Sequence, residues 1–303
     1  MLKPNKPLII VFLGPAVLFY LLVFLYPTIR TVAMSFFAVE SVSASMASWT
    51  FNGLANYERI FSTQIFIQSL QNIGRIWFFG GIVVMFLALV FAVALTGKLK
   101  GTKFFRSAIY LPNVISAVAM GAMWLYYVYN TEYGLLSTVL SSLGFDSASQ
   151  TLWTGPGLRF WAMFAAYCFG MVGYHMLIFI SGIEQIPNDY YEAALIEGAG
   201  VVRRFFIVTL PNIRGVARTN IVMWTVFTVG FFVWAQIFSP LNLSFDTVAP
   251  MNYMYQLVFG AMSSAVTVRD SGAGAAIGVI LMMTVVVVFF ATNFIVRNDD
   301  AEL

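Results

Sequence analysis

The sequence is poor in charge, cysteine and histidine, and each shortage removes a class of function. Only 10% of its 303 residues are charged, while 60% are hydrophobic. A soluble domain carries about 25% charged and about 45–50% apolar residues. A fold of the present composition therefore cannot cover itself with a polar shell, and much of its surface must meet an apolar medium. The single cysteine, Cys168, excludes an internal disulfide and a cysteine-rich metal site. The single histidine, His175, excludes zinc sites and relays built on paired imidazoles. A net charge of +3 is too small to point to nucleic acid, and where the charges fall matters more than their sum.

What the chain has instead is long apolar runs. A membrane-crossing helix needs about 20 mostly apolar residues, and six segments qualify, at about 8–29, 73–96, 108–130, 160–183, 216–238 and 272–295. Lys3 and Lys6 before Leu8–Tyr26 resemble the start of a signal peptide, but the run exceeds the usual 7–15 residues, and it is read as a retained first span. Short alternating strands with turns, the mark of a membrane β-barrel, do not occur.

Charge placement orients the spans. With the N-terminus inside, the inner segments hold Lys3, Lys6, Lys98, Lys100, Lys103, Arg106, Arg203, Arg204, Arg214, Arg218 and Arg297, eleven of the sixteen cations. Arg30, Arg59, Arg75, Arg159 and Arg269 fall outside. This is the positive-inside pattern with both termini cytoplasmic. The loop Gly97–Ser107 carries four cations and no acid. Its first reading is a topology anchor at anionic headgroups, its second a specific lipid or partner site.

No ionisable side chain sits securely at mid-membrane, which argues against proton-coupled transport. His175 reads first as a packed, hydrogen-bonded neutral imidazole. Tyr126, Tyr129, Asn130, Tyr167, Trp234 and Gln236 are the polar and aromatic candidates for a solute pathway, with ordinary helix packing as the plainer reading.

The inner segment 184–215 is too long for a connector. Asn188 or Asp189 is placed to cap a short helix over 189–197, and Gly198 is placed to end it with positive φ. Such a helix is roughly 14 Å long, too short to span the bilayer. It could act as a lever gripped by a cytoplasmic partner, or lie in the interface with no partner.

The same residues carry a family resemblance. Tyr191-Glu192-Ala193-Ala194-Leu195-Ile196-Glu197-Gly198, then nine intervening residues, then Val208-Thr209-Leu210-Pro211, resembles the EAA signature of ATP-driven importer permeases. Ile186-Pro187-Asn188-Asp189-Tyr190, Phe105 to Pro112, Tyr26-Pro27 with Ser35-Phe36, and Asn56-Tyr57 are similar to the carbohydrate-import subfamily related to maltose permeases. Two departures stand out. The loop after the fifth span reads Phe238-Ser239-Pro240-Leu241-Asn242 through Thr247, where the family often has Gly-Gly-Pro. An insert, Ser263–Ser271, precedes the sixth span. Glu197 also stands where an aspartate is common.

The resemblance implies an all-α integral membrane protein with six transmembrane helices, the type I ABC importer permease fold, and a short cytoplasmic coupling helix. It implies a division into residues 1–72, a first helix with its external loop, and 73–303, a five-helix core that includes the coupling loop. The chain would be the translocation subunit, not an enzyme, of a carbohydrate importer in a prokaryotic cytoplasmic membrane. Its implied partners are a second, homologous permease forming a heterodimer, two ATPase subunits, an extracytoplasmic solute-binding protein and membrane lipid. Coupling to the ATPase would fall to Tyr191, Glu192, Ala193, Ala194, Glu197, Gly198, Leu210 and Pro211. Glu192 would make the polar contact, the alanines would permit close docking and Gly198 the turn. The chain has no G-x-x-x-x-G-K-S/T phosphate loop, so ATP and magnesium belong to the ATPase subunits and no cofactor to this chain. Against this stand a secondary, ion-coupled transporter, disfavoured by the missing repeat and carboxylate, and a non-transporting scaffold.

Overall fold

A computed structural model describes residues 6–97, 99–240, 243–260 and 269–295, with side chains from Val11 onward. Lys3, Lys98, Arg297, the Lys6 side chain, Leu241-Asn242 and residues 263–268 of the insert lie outside the described residues. The chain divides into two compact units, one of residues 1–67 with 253–283, the other of 68–252 with 284–303.

The first unit begins with the helix Val11–Met34, whose most apolar stretch has no residue buried by protein. A hydrocarbon surface of that size needs lipid around it. The helix outruns the sequence boundary near residue 29. Pro27 would break an α-helix by removing one hydrogen bond and clashing with the preceding turn, but the turn before it, Leu21–Leu25, is widened to a π-helix. There the Tyr26 N–H bonds the Leu21 carbonyl five residues back, so the chain passes the proline without unwinding. Thr28 and Thr31 donate their hydroxyls to the carbonyls of Phe24 and Pro27, at 2.8 and 2.9 Å.

The external loop that follows is tied down by one buried amide. Asn56 donates to the carbonyls of Ser35 and Phe37, both at 2.9 Å, and its oxygen accepts from Asn52 and Arg59. A two-residue antiparallel pair, Phe37–Ala38 with Thr50–Phe51, lies beside it. Arg59 also pairs with Asp270, which caps the helix Ser271–Ile295 by accepting from the Ala273 N–H at 2.9 Å. At Gly272 a Cβ would strike the Phe37 carbonyl, so only glycine allows this close approach.

The second unit is organised around the helix Arg159–Glu184, 67% of whose most apolar stretch is buried inside the protein. Small residues make that burial work, as they do where membrane helices meet closely. A Cβ on Gly173 would collide with the Ile109–Tyr110 backbone of the helix Thr102–Val114. A Cβ on Gly182 would fall 2.5 Å from Val216. Across the unit, Trp224 Nε1 donates to the Trp77 carbonyl while Trp77 Nε1 donates to Thr225 Oγ1, both at 2.8 Å. Gly80 and Gly81 leave room for the Trp224 ring.

Two of the expected spans are not straight helices. The segment read as 108–130 is two helical pieces, Thr102–Val114 and Ala117–Val128, meeting at 97°. Ser116 causes the break: extended at ψ 144°, it caps the second piece by accepting from the Ala119 N–H at 3.3 Å. The segment read as 216–238 is Arg214–Val229 followed by Val233–Phe238, interrupted after Gly230. Among the described residues, four helices are long and apolar enough to cross a membrane, or five if the bent pair counts as one. The fold is an all-α, multi-pass membrane architecture, with the single short β-pair as a local detail of a loop.

A candidate coupling site at the inner end of the second unit

The short helix of the coupling segment runs Asn188–Ile196, starting one residue before the position expected. Pro187 takes the capping position, and no side chain caps the first turn, so neither Asn188 nor Asp189 plays that role. There the ring fixes φ and the backbone is extended at ψ 136°, which sets the chain's entry into the helix. The other end is closed firmly. Gly198 adopts φ +76° and donates its N–H to Leu195, while the Ala199 N–H reaches back to the Ala194 carbonyl at 2.9 Å. This paired closure satisfies the last carbonyls of the helix and turns the chain sharply.

The closure also divides the helix into two faces. Ala194 and Ala199 are buried against Ile183, Ile186, Val208 and Ile213. Glu192, Ala193, Glu197 and Tyr190 are exposed, and Ile196 is 85% exposed. The expectation that Ala193 and Ala194 form one tight outer surface therefore fails: adjacent residues on a helix sit about 100° apart, and here one points in and one out. Their small size serves packing at Ala194 and leaves Ala193 free. Tyr191 is half-buried, and its phenol oxygen lies 3.0 Å from Thr209 Oγ1.

Although a proline commonly interrupts a helix, Leu210-Pro211 does not break the chain. Residues 201–204, a π-turn over Phe205–Thr209 and Leu210–Asn212 follow one another as helical turns. Only a turn at Ile213 separates them from Arg214–Val229. The widened turn before Pro211 tolerates the missing N–H, as at Pro27. The coupling helix is thus fastened, through Tyr191 and Ala194, to a nearly continuous rod that enters the fifth apolar segment.

Neither reading of the basic loop, topology anchor or lipid or partner site, includes what Arg106 does within the fold: it is a clamp. Its guanidinium donates to the Leu95 carbonyl at 3.0 Å and pairs with Glu184 at 2.7 Å. One side chain thereby joins the ends of two long helices beside the coupling segment and places the basic loop and the coupling segment at the same end of the unit. Thr209 was also missed as a partner, although it lies within the recognised motif. Nothing in the local sequence pairs it with Tyr191.

Three of the six pathway candidates, Tyr129, Tyr167 and Trp234, share one buried core, and the other three lie outside it. Tyr167 and Trp234 lie in one buried aromatic cluster, 5.8 Å between ring centroids, with Trp224 and Phe231. Tyr129 belongs to the same buried core and donates to the Ala162 carbonyl at 2.9 Å. Tyr126 is exposed. Asn130 accepts from the N–H groups of Glu132 and Tyr133, making a turn, and Gln236 donates to the Pro240 carbonyl. A cleft of ≈ 370 Å³ that these residues do not line brings together Tyr110, Tyr174, Ser181, Gln185 and Thr219. His175 is fully buried, with Nδ1 2.7 Å from Asn220 Oδ1. An amide oxygen only accepts, so Nδ1 carries the proton. The loop that departs from the family pattern is pinned by Asn72, which donates to the carbonyls of Phe245 and Val248 at 2.9 and 3.0 Å.

Among the described residues no group of three or more His, Cys, Asp or Glu side chains could hold a metal ion. Residues 85–298 match the family model described as the binding-protein-dependent transport system inner membrane component. The chain is 29% identical to the arabinooligosaccharides transport system permease protein AraP of Halalkalibacterium halodurans, over 92% of this chain and 84% of that one. It is 30% identical to the diacetylchitobiose uptake system permease protein NgcF of Streptomyces coelicolor, over 82% and 71%. Its fold superposes with TM-score 0.78, at 18% identity, on a chain of a bacterial ABC transporter involved in the import of the acidic polysaccharide alginate, covering 98% of this chain and 97% of the other. A membrane-embedded, multi-pass chain whose matched region includes the whole coupling segment belongs to the family of binding-protein-dependent transport system inner membrane components: it is a permease subunit of an ABC transporter.

Proposed function

We propose that this permease subunit passes a carbohydrate from an extracytoplasmic binding protein into the cytoplasm, by alternating access driven by ATPase subunits bound to its coupling helix. The observation that carries this is the two-faced helix Asn188–Ile196. Its inner face is fastened to the membrane helices through Ala194 and Tyr191, and its outer face is free and carries Glu192, Ala193, Ile196 and Glu197. A rigid lever with one face bound and one face open suits transmission of force from a separate engine. Glu192 and Glu197 are the polar contacts to the ATPase, Gly198 keeps the helix short, and Leu210 and Pro211 belong to the rod that carries the motion.

The substrate class rests on relatives whose names specify arabinooligosaccharides and diacetylchitobiose. It also suits the cleft of Tyr110, Tyr174, Ser181, Gln185 and Thr219, where two phenol rings stand beside hydroxyl and amide groups. Aromatic faces with a few polar partners are what a sugar requires of a site. In this reading the bent pair and the interrupted pair each count as one crossing, giving six spans with both ends cytoplasmic and a first helix (1–72) set apart from the core (73–303). The working assembly contains a second, similar permease, two ATPases and the binding protein.

The test is binding-protein-stimulated ATP hydrolysis in the reconstituted assembly with Gly198→Val. A left-handed conformation costs a residue with a Cβ about 1–2 kcal/mol, and a β-branched side chain suffers most. Stimulation is expected to collapse while the spans still insert; stimulation equal to the parent's would sink the assignment.

A further inference from the structure

Beside the coupling helix, on the side away from its exposed face, lies a cleft of ≈ 470 Å³ between the inner ends of the helices Gln64–Thr96 and Arg159–Glu184. Its walls combine Val93, Ile183, Val201 and Phe205 with Asn188 and Arg204. Glu184 also lines it, but its carboxylate is already paired with Arg106. Arg204 has no acidic partner among the described residues, and its Nε is buried without a hydrogen bond. An uncompensated guanidinium facing a cleft calls for an anion, and guanidinium geometry suits phosphate.

The rim says where that anion comes from. Past Gly97 of the cleft wall, the chain continues through Lys100 and Lys103, exposed beside the outward-facing Leu99, Phe104 and Phe105, the last two 71% and 48% exposed. On the other side Val201, Val202 and Phe206 are exposed in the same way. Exposed apolar side chains interleaved with cations mark a surface lying in the membrane interface. Cations beside the cytoplasmic ends of transmembrane helices attract anionic lipid. A soluble anion would need the guanidinium but would have no use for the apolar walls.

We propose that this cleft seats an anionic phospholipid of the inner leaflet, its phosphate on Arg204 and Asn188 and its acyl stem along Val93, Ile183 and Phe205. A lipid there would touch the coupling helix at Asn188, one long helix at Val93 and another at Ile183, and so bear on the lever itself. The inference rests on the membrane orientation proposed above, which impermeant labelling of Lys100→Cys tests separately: labelling from outside would overturn the orientation and leave the lipid measurement to stand alone.

The experiment uses the purified assembly in vesicles of phosphatidylcholine with or without phosphatidylglycerol, with retained lipid counted by native mass spectrometry after detergent exchange. The parent is expected to hold phosphatidylglycerol, and Arg204→Gln to lower its retention about fivefold, the share one interfacial arginine supplies. Arg204→Lys should keep most of it, which separates loss of charge from loss of fold. Arg203→Gln, the exposed neighbour that does not line the cleft, should change nothing. Equal retention in Arg204→Gln and parent would overturn the proposal. So would stabilisation by inorganic phosphate alone in phosphatidylcholine vesicles, since the anion would then be a soluble one. Loss of ATPase subunits from Arg204→Gln with lipid retention unchanged would overturn it too, and would give the cleft to a protein partner.

Discussion

The helices Val11–Met34 and Arg159–Glu184 are of similar length and both apolar enough to cross a membrane, yet none of the first one's most apolar stretch is buried by protein and 67% of the second one's is. Hydropathy separates membrane from water, but it does not separate lipid from protein, because lipid tails are as apolar as leucine. Side-chain size and polarity make that distinction. The buried helix carries Gly170, Gly173, Gly182, Cys168 and His175, residues that allow close approach or need a partner. The exposed helix is lined with Val, Leu and Phe that need neither.

The comparison breaks first at the glycines. Gly173→Leu must push against the Ile109–Tyr110 backbone, and overpacking of this kind costs about 1–3 kcal/mol, occasionally more. Gly14→Leu meets nothing within 4 Å and is expected to stay within about 0.5 kcal/mol of the parent. Thermal unfolding of the purified chain in detergent measures both; equal Tm shifts would mean that the burial contrast does not govern stability.

A smaller effect is expected from the buried polar pair. Asn220→Leu removes the acceptor for His175 Nδ1. Hydrogen bonds between membrane helices average about 0.6 kcal/mol and reach about 1.7, so the interaction energy of the pair should fall in that range. Chemical denaturation of Asn220→Leu, His175→Phe and the double variant would isolate the pair, and strictly additive losses would show that the bond contributes nothing. The smallest effect is expected at Phe12, 74% exposed on the first helix. Phe12→Leu trades one lipid-facing apolar group for another and should leave Tm and transport rate unchanged within about 0.5 kcal/mol. A larger loss would reveal a protein partner on that face.

Much of the coupling site was legible in the sequence because its determinants are local. Gly198 ends the helix through its own backbone freedom, and the charge pattern placed the segment inside. The start of the helix was misjudged by one residue because Asn188 and Asp189 are good caps on average, while Pro187 already fixes the entry. The facing of Ala193 and Ala194 was misread because a pair of small residues in sequence gives no sign of which one meets the core. The spans at 108–130 and 216–238 were read as straight because averaging hydropathy over a window hides a bend at Ser116 or an interruption at Gly230. Of the pathway candidates only Tyr129, Tyr167 and Trp234 share a core, because residue type was the only guide to them, and residue type alone does not bring Tyr126 beside Trp234.

By itself the sequence determined the medium, the orientation proposed for the spans and the existence of the short helix that ends at Gly198. These follow from composition, from cations counted along the chain and from turn chemistry within a dozen residues. Only the tertiary structure decided which apolar helix faces lipid and which faces protein, that Arg106 holds both Leu95 and, 78 residues further along the chain from itself, Glu184, and that Arg204 lines a cleft with no acidic partner among the described residues. Those outcomes depend on which surfaces meet after folding, and contacts between residues far apart in the chain leave no periodic trace along it.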